Sequence, residues 1–412
     1  MGDTESPYWK RIKNRFFSIP SAKWSLYIFG LLVFIGVFAD FLANEKPIYC
    51  KYNGKTYWPV VQGYLVDLGW SSWDDDVLLL DWHTAIYESS ILPLIPYSAK
   101  YIDRENAGFK KPFGLQNIAS NRYRHWLGTD QIGRDIAAGM INGTRISLAV
   151  GLLSMLVASI IGISLGLFAG YYGDREAKVS RFKVLIYLAC TMYLLFFLLH
   201  SASHFTLLWT FLVIVAIFLI TWLLVNLSTY IENRLPFLGK KITIPVDIIV
   251  MRLIELINSF PALFTILAIV AIVNRPSIII LMMVIGFIRW TGIARFTRAE
   301  MLKTRSAGYI TAAKGLGIPD SQIIWRQALP NALPPVLITI AFGIAGAILL
   351  ESFLSFLGIG VDPSQVSWGS LLQIARQNFS NWWLALFPGI AIFIAVSIFN
   401  LIGDGLTRAM EG

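Results

Sequence analysis

Charge is the first scarcity in this chain. Of its 412 residues only 14% are charged, where a water-soluble domain carries about 25%. Hydrophobic residues make up 56%, and the mean hydropathy is +0.62. That balance excludes a freely soluble globular domain. Cysteine is nearly absent. Cys50 falls in a loop and Cys190 in a hydrophobic run, with no metal-binding spacing and nothing to suggest pairing, so the redox compartment stays open. The four histidines are His83, His125, His200 and His204. His200 and His204 stand four apart but bring no third ligand, so no metal site is read there. No EF-hand spacing follows Asp74, Asp75 and Asp76, which read as a solvated acidic turn.

Catalytic motifs are missing too. There is no G-x-x-x-x-G-K-[ST], so the chain has no phosphate-binding loop for ATP. There is no H-E-x-x-H and no G-x-S-x-G. No catalytic residue, cofactor or metal is expected, and the chain does not read as an enzyme. No basic run interleaved with aromatics leaves the hydrophobic part, so nucleic acid is not an expected partner. The first apolar run is long and has no small-residue cleavage site close behind it, so no cleavable signal is read.

Long apolar runs are what the chain has instead. They are continuous rather than alternating, so they predict α-helices crossing a lipid bilayer. The fold class is therefore all-α and polytopic. Residues 1–24 form a basic cytoplasmic lead with Lys10, Arg11, Lys13, Arg15 and Lys23. Spans are predicted at 25–43, 146–170, 184–200, 205–226, 246–273, from 277 to about Arg295, 336–356 and 383–401. Eight spans put both termini in the cytoplasm, and the lysines and arginines of the short loops agree. Residues 44–145 are a long extracytoplasmic segment. Within it, Tyr49 to Val61 reads as a β-hairpin turning at Asn53-Gly54. Asp135 opens a helix that leads into the second span. Gly151, Ser154, Gly162 and Gly166 on that span suit close helix packing.

Three polar or helix-breaking features inside spans carry two readings each. A charge at a helix centre costs roughly 2.5–3.5 kcal/mol, so it should face protein or water. Glu351 reads as a gate near a substrate path or as a structural bond between helices. Glu255 can pair with Arg252 on one helix face. Pro261, in Asn258-Ser259-Phe260-Pro261, interrupts its span and frees a backbone carbonyl.

The longest polar stretch of the second half runs from Arg298 to Pro335. Arg298, Lys303, Arg305, Lys314 and Arg326 outnumber Glu300 and Asp320. Thr311, Ala312 and Ala313 lie on a small-faced helix that Gly317 stops. A return helix over Ser321 to Leu329 is predicted to close at Pro330. A structured basic hairpin on the cytoplasmic side reads as a docking element.

Five ordered motifs then carry a resemblance. Ala312-Ala313, Gly317 and Leu329-Pro330-Asn331 resemble the EAA loop of ABC-importer permeases. His125 to Asp130, Gly133-Arg134-Asp135 and Gly143 to Leu148 are similar to the signature of dipeptide/oligopeptide C-type permeases. Gly170 to Gly173, Ser355 to Gly360 with Ser367-Trp368-Gly369, and Asn400 to Leu406 match further segments. The first span and the stretch behind it look like the microcin C-type peptide permease subgroup. The resemblance implies a type I importer permease fold, with core helices over 246–406 and a coupling loop over 298–335. It implies a peptide-importing assembly with a second permease subunit, two ATP-hydrolysing subunits and an extracytoplasmic binding protein, in a bacterial cytoplasmic membrane. Thr311, Ala312, Ala313, Gly317, Leu329 and Pro330 are the coupling residues it implies. Nickel or glutathione import, and a non-transporting sensor or scaffold, are the other readings. Thr311 stands where the family's glutamate is usual. The family has six spans, so residues 184–227 are an inserted hairpin.

Overall fold

The computed structural model describes residues 7–174, 176–201, 207–234, 239–272, 277–359 and 365–411. Helices α1 (Pro7–Ser18), α2 (Pro20–Val37) and the short α3 (Ala39–Leu42) come first. The segment that follows carries strands β1 (Tyr49–Tyr52) and β2 (Lys55–Tyr57), helices α4 (Pro59–Asp67) and α5 (Asp75–Leu78), and strand β3 (Ser89–Ile91). Then come α6 (Ile136–Tyr172), β4 (Lys178–Ser180), α7 (Arg181–Ser201), α8 (Leu207–Arg234) and β5 (Lys241–Thr243). The remainder is α9 (Val246–Asn258), α10 (Ala262–Ile272), α11 (Ile278–Arg305), α12 (Gly308–Gly315), α13 (Asp320–Ile323), α14 (Leu329–Phe356), α15 (Trp368–Gln377) and α16 (Trp383–Glu411).

Among the described residues six helical stretches are long and apolar enough to cross a membrane, or seven if α9 and α10 count as one bent span. The expected span at 184–200 falls on α7, whose last side chains lie outside the described residues. His204 and the start of the expected 205–226 span lie outside them too, as does the side chain of His200. The first span begins earlier than the hydropathy predicts. Pro20 sits at its first turn, where its missing N–H costs nothing, and the helix ends at Val37 rather than reaching Ala43. α9 and α10 meet at 77° across the Asn258–Pro261 break.

The central pair is α6 against α11. Gly162, Gly166 and Gly170 recur every fourth residue on α6, so they share one face. A Cβ at Gly162 would stand 2.8 Å from the Trp290 carbonyl oxygen, and one at Gly170 would stand 2.7 Å from that of Arg298. Only hydrogen at these positions lets the two backbones come this close. α14 packs on α6 near Gly151, where an added Cβ would meet Ile348 at 2.6 Å. Asp135 starts α6 by accepting from the Ala138 N–H at 2.6 Å.

The segment outside the bundle folds around a small antiparallel sheet in the order β2-β1-β3. Its hairpin turns at Asn53 and Gly54, both at positive φ. It is tied to the bundle by Trp383, whose indole N–H donates to the Thr129 carbonyl at 3.4 Å, and by Arg145 on α6, which donates to the Tyr64 hydroxyl of α4 at 3.4 Å. Arg145 pairs with Asp40 at 2.7 Å and donates to the Gly36 carbonyl at 3.0 Å. At the opposite end of the bundle, Ile12 and Phe16 of α1 are buried with Ala22 and Ala409. The Arg298–Pro335 hairpin lies at that same end, because α6 runs from the Thr129 side to Tyr171, and Tyr171 touches the hairpin.

Candidate coupling site and transport path

The hairpin is a small core with an apolar tip. Ile310 and Ala313 of α12, Ile323, Ile324, Ala328, Leu329 and Ala332 bury themselves against Leu167, Tyr171 and Met301. α12 has only eight residues and owes its helical state to that burial rather than to its own length. Gly317 takes φ +75°, the left-handed conformation that ends a helix cheaply only at glycine. Thr311 and Ala312 are exposed, so the small face does not present its residues as one set: Ala313 turns inward while its neighbours turn outward.

Pro330 does not close the return helix. Residues Ile324–Ala328 form one wide turn, with the Leu329 N–H bonded to the Ile324 carbonyl, and α14 then runs on through Pro330, Pro334 and Pro335. A proline clashes with the carbonyl four residues back, and a widened turn relieves that clash. The hairpin and the following span are thus one continuous stretch from Asp320 to Phe356.

Most of the predicted basic charge is already spent inside the chain. Arg298 holds Asp247, with Nη2 2.6 Å from Oδ2. Arg305 and Lys314 share the Glu176 carboxylate at 2.7 and 3.0 Å. The Tyr171 hydroxyl donates to Asp320 at 2.7 Å. What projects instead is Leu316 (81% exposed), Trp325 (61%) and Tyr309 (47%), with Arg326 exposed beside Trp325. Exposed aromatics beside arginine are the residue types that anchor protein interfaces. The sequence did carry a signal for them, a Trp-Arg pair inside a polar loop. It carried none for Glu176, which lies 129 and 138 positions from its partners.

The three candidates for the path are not brought together. Glu255 is exposed on α9 and pairs with Arg252 at 2.7 Å. Pro261 is exposed at the α9–α10 break. Glu351 is fully buried. It accepts from Ser355 at 2.8 Å and from Ser147 and Ser352 at 3.4 Å. Ser147 also accepts the Trp368 N–H at 3.2 Å, so Glu351 is the centre of a polar knot joining α14, α6 and α15. None of the three lines the cavity of about 620 Å³ near the N-terminal ends of α6 and α11. That cavity has both signs of charge on its wall, including Asp40, Asp67, Lys100 and Arg145. Burial and the hydrogen bond to Asp40 push the Tyr64 phenol there up to about 12, which keeps it a donor.

Residues 237–412 match the family described as binding-protein-dependent transport system inner membrane component. A putative peptide transport system permease protein of Brucella suis is 30% identical, over 72% of this chain and 79% of its own length. The chain belongs to this permease family. The peptidoglycan transport system permease protein YejE of Agrobacterium fabrum is 25% identical, over 98% of this chain and 93% of its own length. The dipeptide transport system permease protein DppC of Alkalihalophilus pseudofirmus is 29% identical, over 70% and 71%. The permease is a multi-pass inner-membrane transport subunit with the helical ABC-importer architecture. The family's name itself implies a binding protein, and an ABC importer implies ATP-hydrolysing subunits.

Proposed function

We propose that this permease carries peptides or peptide-like solutes inward, with its 298–335 hairpin as the element that ATPase subunits push. The observation that carries this reading is the hairpin's construction. Its inner side is buried against α6, it continues without a break into α14, and its outward surface exposes Leu316, Trp325 and Tyr309. A force on the tip is then delivered along one helix into the bundle.

In this reading Leu316, Trp325 and Tyr309 enter the ATPase surface, beside Thr311, Ala312 and the Gly317 turn. Ala313, Leu329 and Pro330 shape the hairpin from inside. A second permease subunit completes the path, with two ATPase subunits on the hairpin side and a binding protein on the other. Both termini are cytoplasmic. Residues 44–145 receive the binding protein, and 246–406 form the core. Pro261 is the flexible point and Glu351 a joint that holds the helices in one state. A peptide is a zwitterion, and a cavity wall with both signs of charge suits it. The YejE relative of Agrobacterium fabrum, named for peptidoglycan transport, covers the chain nearly end to end. That favours peptide-bearing cell-wall fragments within the peptide class.

The test is purification with the ATPase subunits, followed by ATP hydrolysis with and without loaded binding protein. Trp325→Ala is expected to weaken ATPase retention by about 30-fold, as for an interface anchor worth about 2 kcal/mol. Undiminished retention would remove the docking role. A glutathione permease relative, 29% identical, marks the alternative cargo, and exchange of the binding protein separates the two.

A further inference from the structure

Two carboxylates flank the insertion between α6 and α9, one beside each foot. Glu176 stands just before β4, and Asp247 in the first turn of α9, past β5. The feet are stitched together. β4 and β5 pair Lys178 with Thr243 and Ser180 with Lys241. The Ile244 N–H donates to the Ala177 carbonyl at 2.9 Å, and the Ile248 N–H to the Asp174 carboxylate at 3.0 Å. Each carboxylate then reaches the cytoplasmic hairpin. Asp247 takes Arg298, and Glu176 takes Arg305 on one oxygen and Lys314 on the other. Arg298 and Arg305 are two turns apart on α11, or about 10 Å. Glu176 at the foot of the insertion therefore grips the end of α11 and α12, while Asp247 of the core helix α9 grips α11 two turns earlier.

We propose that Glu176 is a positioning residue for coupling: it locks α12 to the end of α11 and thereby joins the inserted α7–α8 pair mechanically to the hairpin that the ATPases push. The proposal rests on the coupling role given above to residues 298–335. α12 buries only Ile310 and Ala313, so few contacts set its direction. Lys314 lies in its last turn, where a cation complements the helix dipole, and also stands 4.8 Å over the Tyr171 ring. Arg305 closes α11 and donates to the Tyr171 carbonyl at 3.0 Å. Without Glu176 these two cations would lose the carboxylate that bridges them. Partly exposed ion pairs add little to stability. What this one fixes is geometry, because a single carboxylate spans two helices whose relative angle decides where the tip points.

The test uses the whole transporter in vesicles: this chain, the second permease subunit, the ATPase subunits and the binding protein. The readout is substrate moved per ATP hydrolysed. Glu176→Gln is expected to lower that ratio by about two- to five-fold, the scale of one partly exposed charge pair. Glu176→Lys combined with Lys314→Glu is expected to recover most of the ratio, since the new Glu at 314 can hold both Arg305 and the new Lys at 176. An unchanged ratio in Glu176→Gln overturns the proposal, as does a double exchange no better than Glu176→Lys alone. If Glu176→Gln does not assemble, Glu176→Asp shortens the reach by one methylene, and an unchanged ratio there overturns it equally. A wild-type complex whose ATP hydrolysis ignores loaded binding protein overturns the coupling reading itself, a result distinct from any Glu176 variant.

Discussion

His125 and Asp135 meet fully buried, with the imidazole Nδ1 2.7 Å from the carboxylate Oδ2. The other ring nitrogen lies 3.1 Å from Asp103, and the ring stacks on Tyr97 at 4.3 Å. Asp135 is also the residue that caps α6. One histidine therefore fastens the segment before α6 to the start of that central helix.

This knot should make that attachment pH-dependent. Burial pulls the His125 pKa down, but Asp135 and Asp103 outweigh it and leave the group above its ordinary 6.5. A raised histidine contributes fully below about pH 6.5 and loses its contribution as pH climbs through the raised native value. Burial raises Asp103, yet its bonds to Asn106 and His125 leave it lowered, so its share is lost only in acid, as pH falls through that lowered value. Proteolysis of the 44–135 segment should accelerate on the alkaline side. His125→Gln should flatten that limb and cost about 3 kcal/mol, the scale of breaking one partner from a buried pair. An unchanged alkaline limb in the variant counts against this assignment.

Gly317 should tolerate space but not chirality. A Cβ there would meet nothing within 4 Å, so the cost of Gly317→Val is the left-handed backbone alone, about 1–2 kcal/mol. Membrane insertion is expected to be normal and transport to fall, while Gly317→Asn retains most of it. Uptake by Gly317→Val at the wild-type rate would show that the turn is not needed for coupling.

Gly166 is the opposite case. Its added Cβ would strike the Ala294 carbonyl and the Thr297 side chain across the α6–α11 contact. Gly166→Leu should therefore separate the central pair at a cost of about 1–3 kcal/mol or more. The reading is thermal unfolding of the detergent-solubilised chain, and an unshifted midpoint would contradict the packing.

Glu351→Ala removes the centre of a knot of serine hydroxyls and leaves a hole. About 2–4 kcal/mol of stability should go with it. Glu351→Gln keeps the volume and the hydrogen bonds and should stay within about 1 kcal/mol of the parent. If Glu351 were instead a mobile gate, both variants would unfold like the parent and differ only in transport.

Local patterns determined a great deal by themselves. Continuous apolar runs, with no water to pair backbone groups, leave only helices. Asp135 before a helix, Asn53-Gly54 between strands, Pro261 in a span and Gly317 after a helix each act within a few residues, so their effects are readable one residue at a time. The glycines of α6 showed that something packs closely there. They could not say that it is α11. The tertiary structure decided the rest, because electrostatic partners are chosen by proximity in space. Arg305 and Lys314 looked like free docking charge until the fold brought Glu176 between them, and Glu351 found Ser147 204 positions away. Pro330 looked like a helix stop because proline forbids an ordinary turn, but a single widened turn, supported by the core under Ile324 and Ala328, lets the helix pass through.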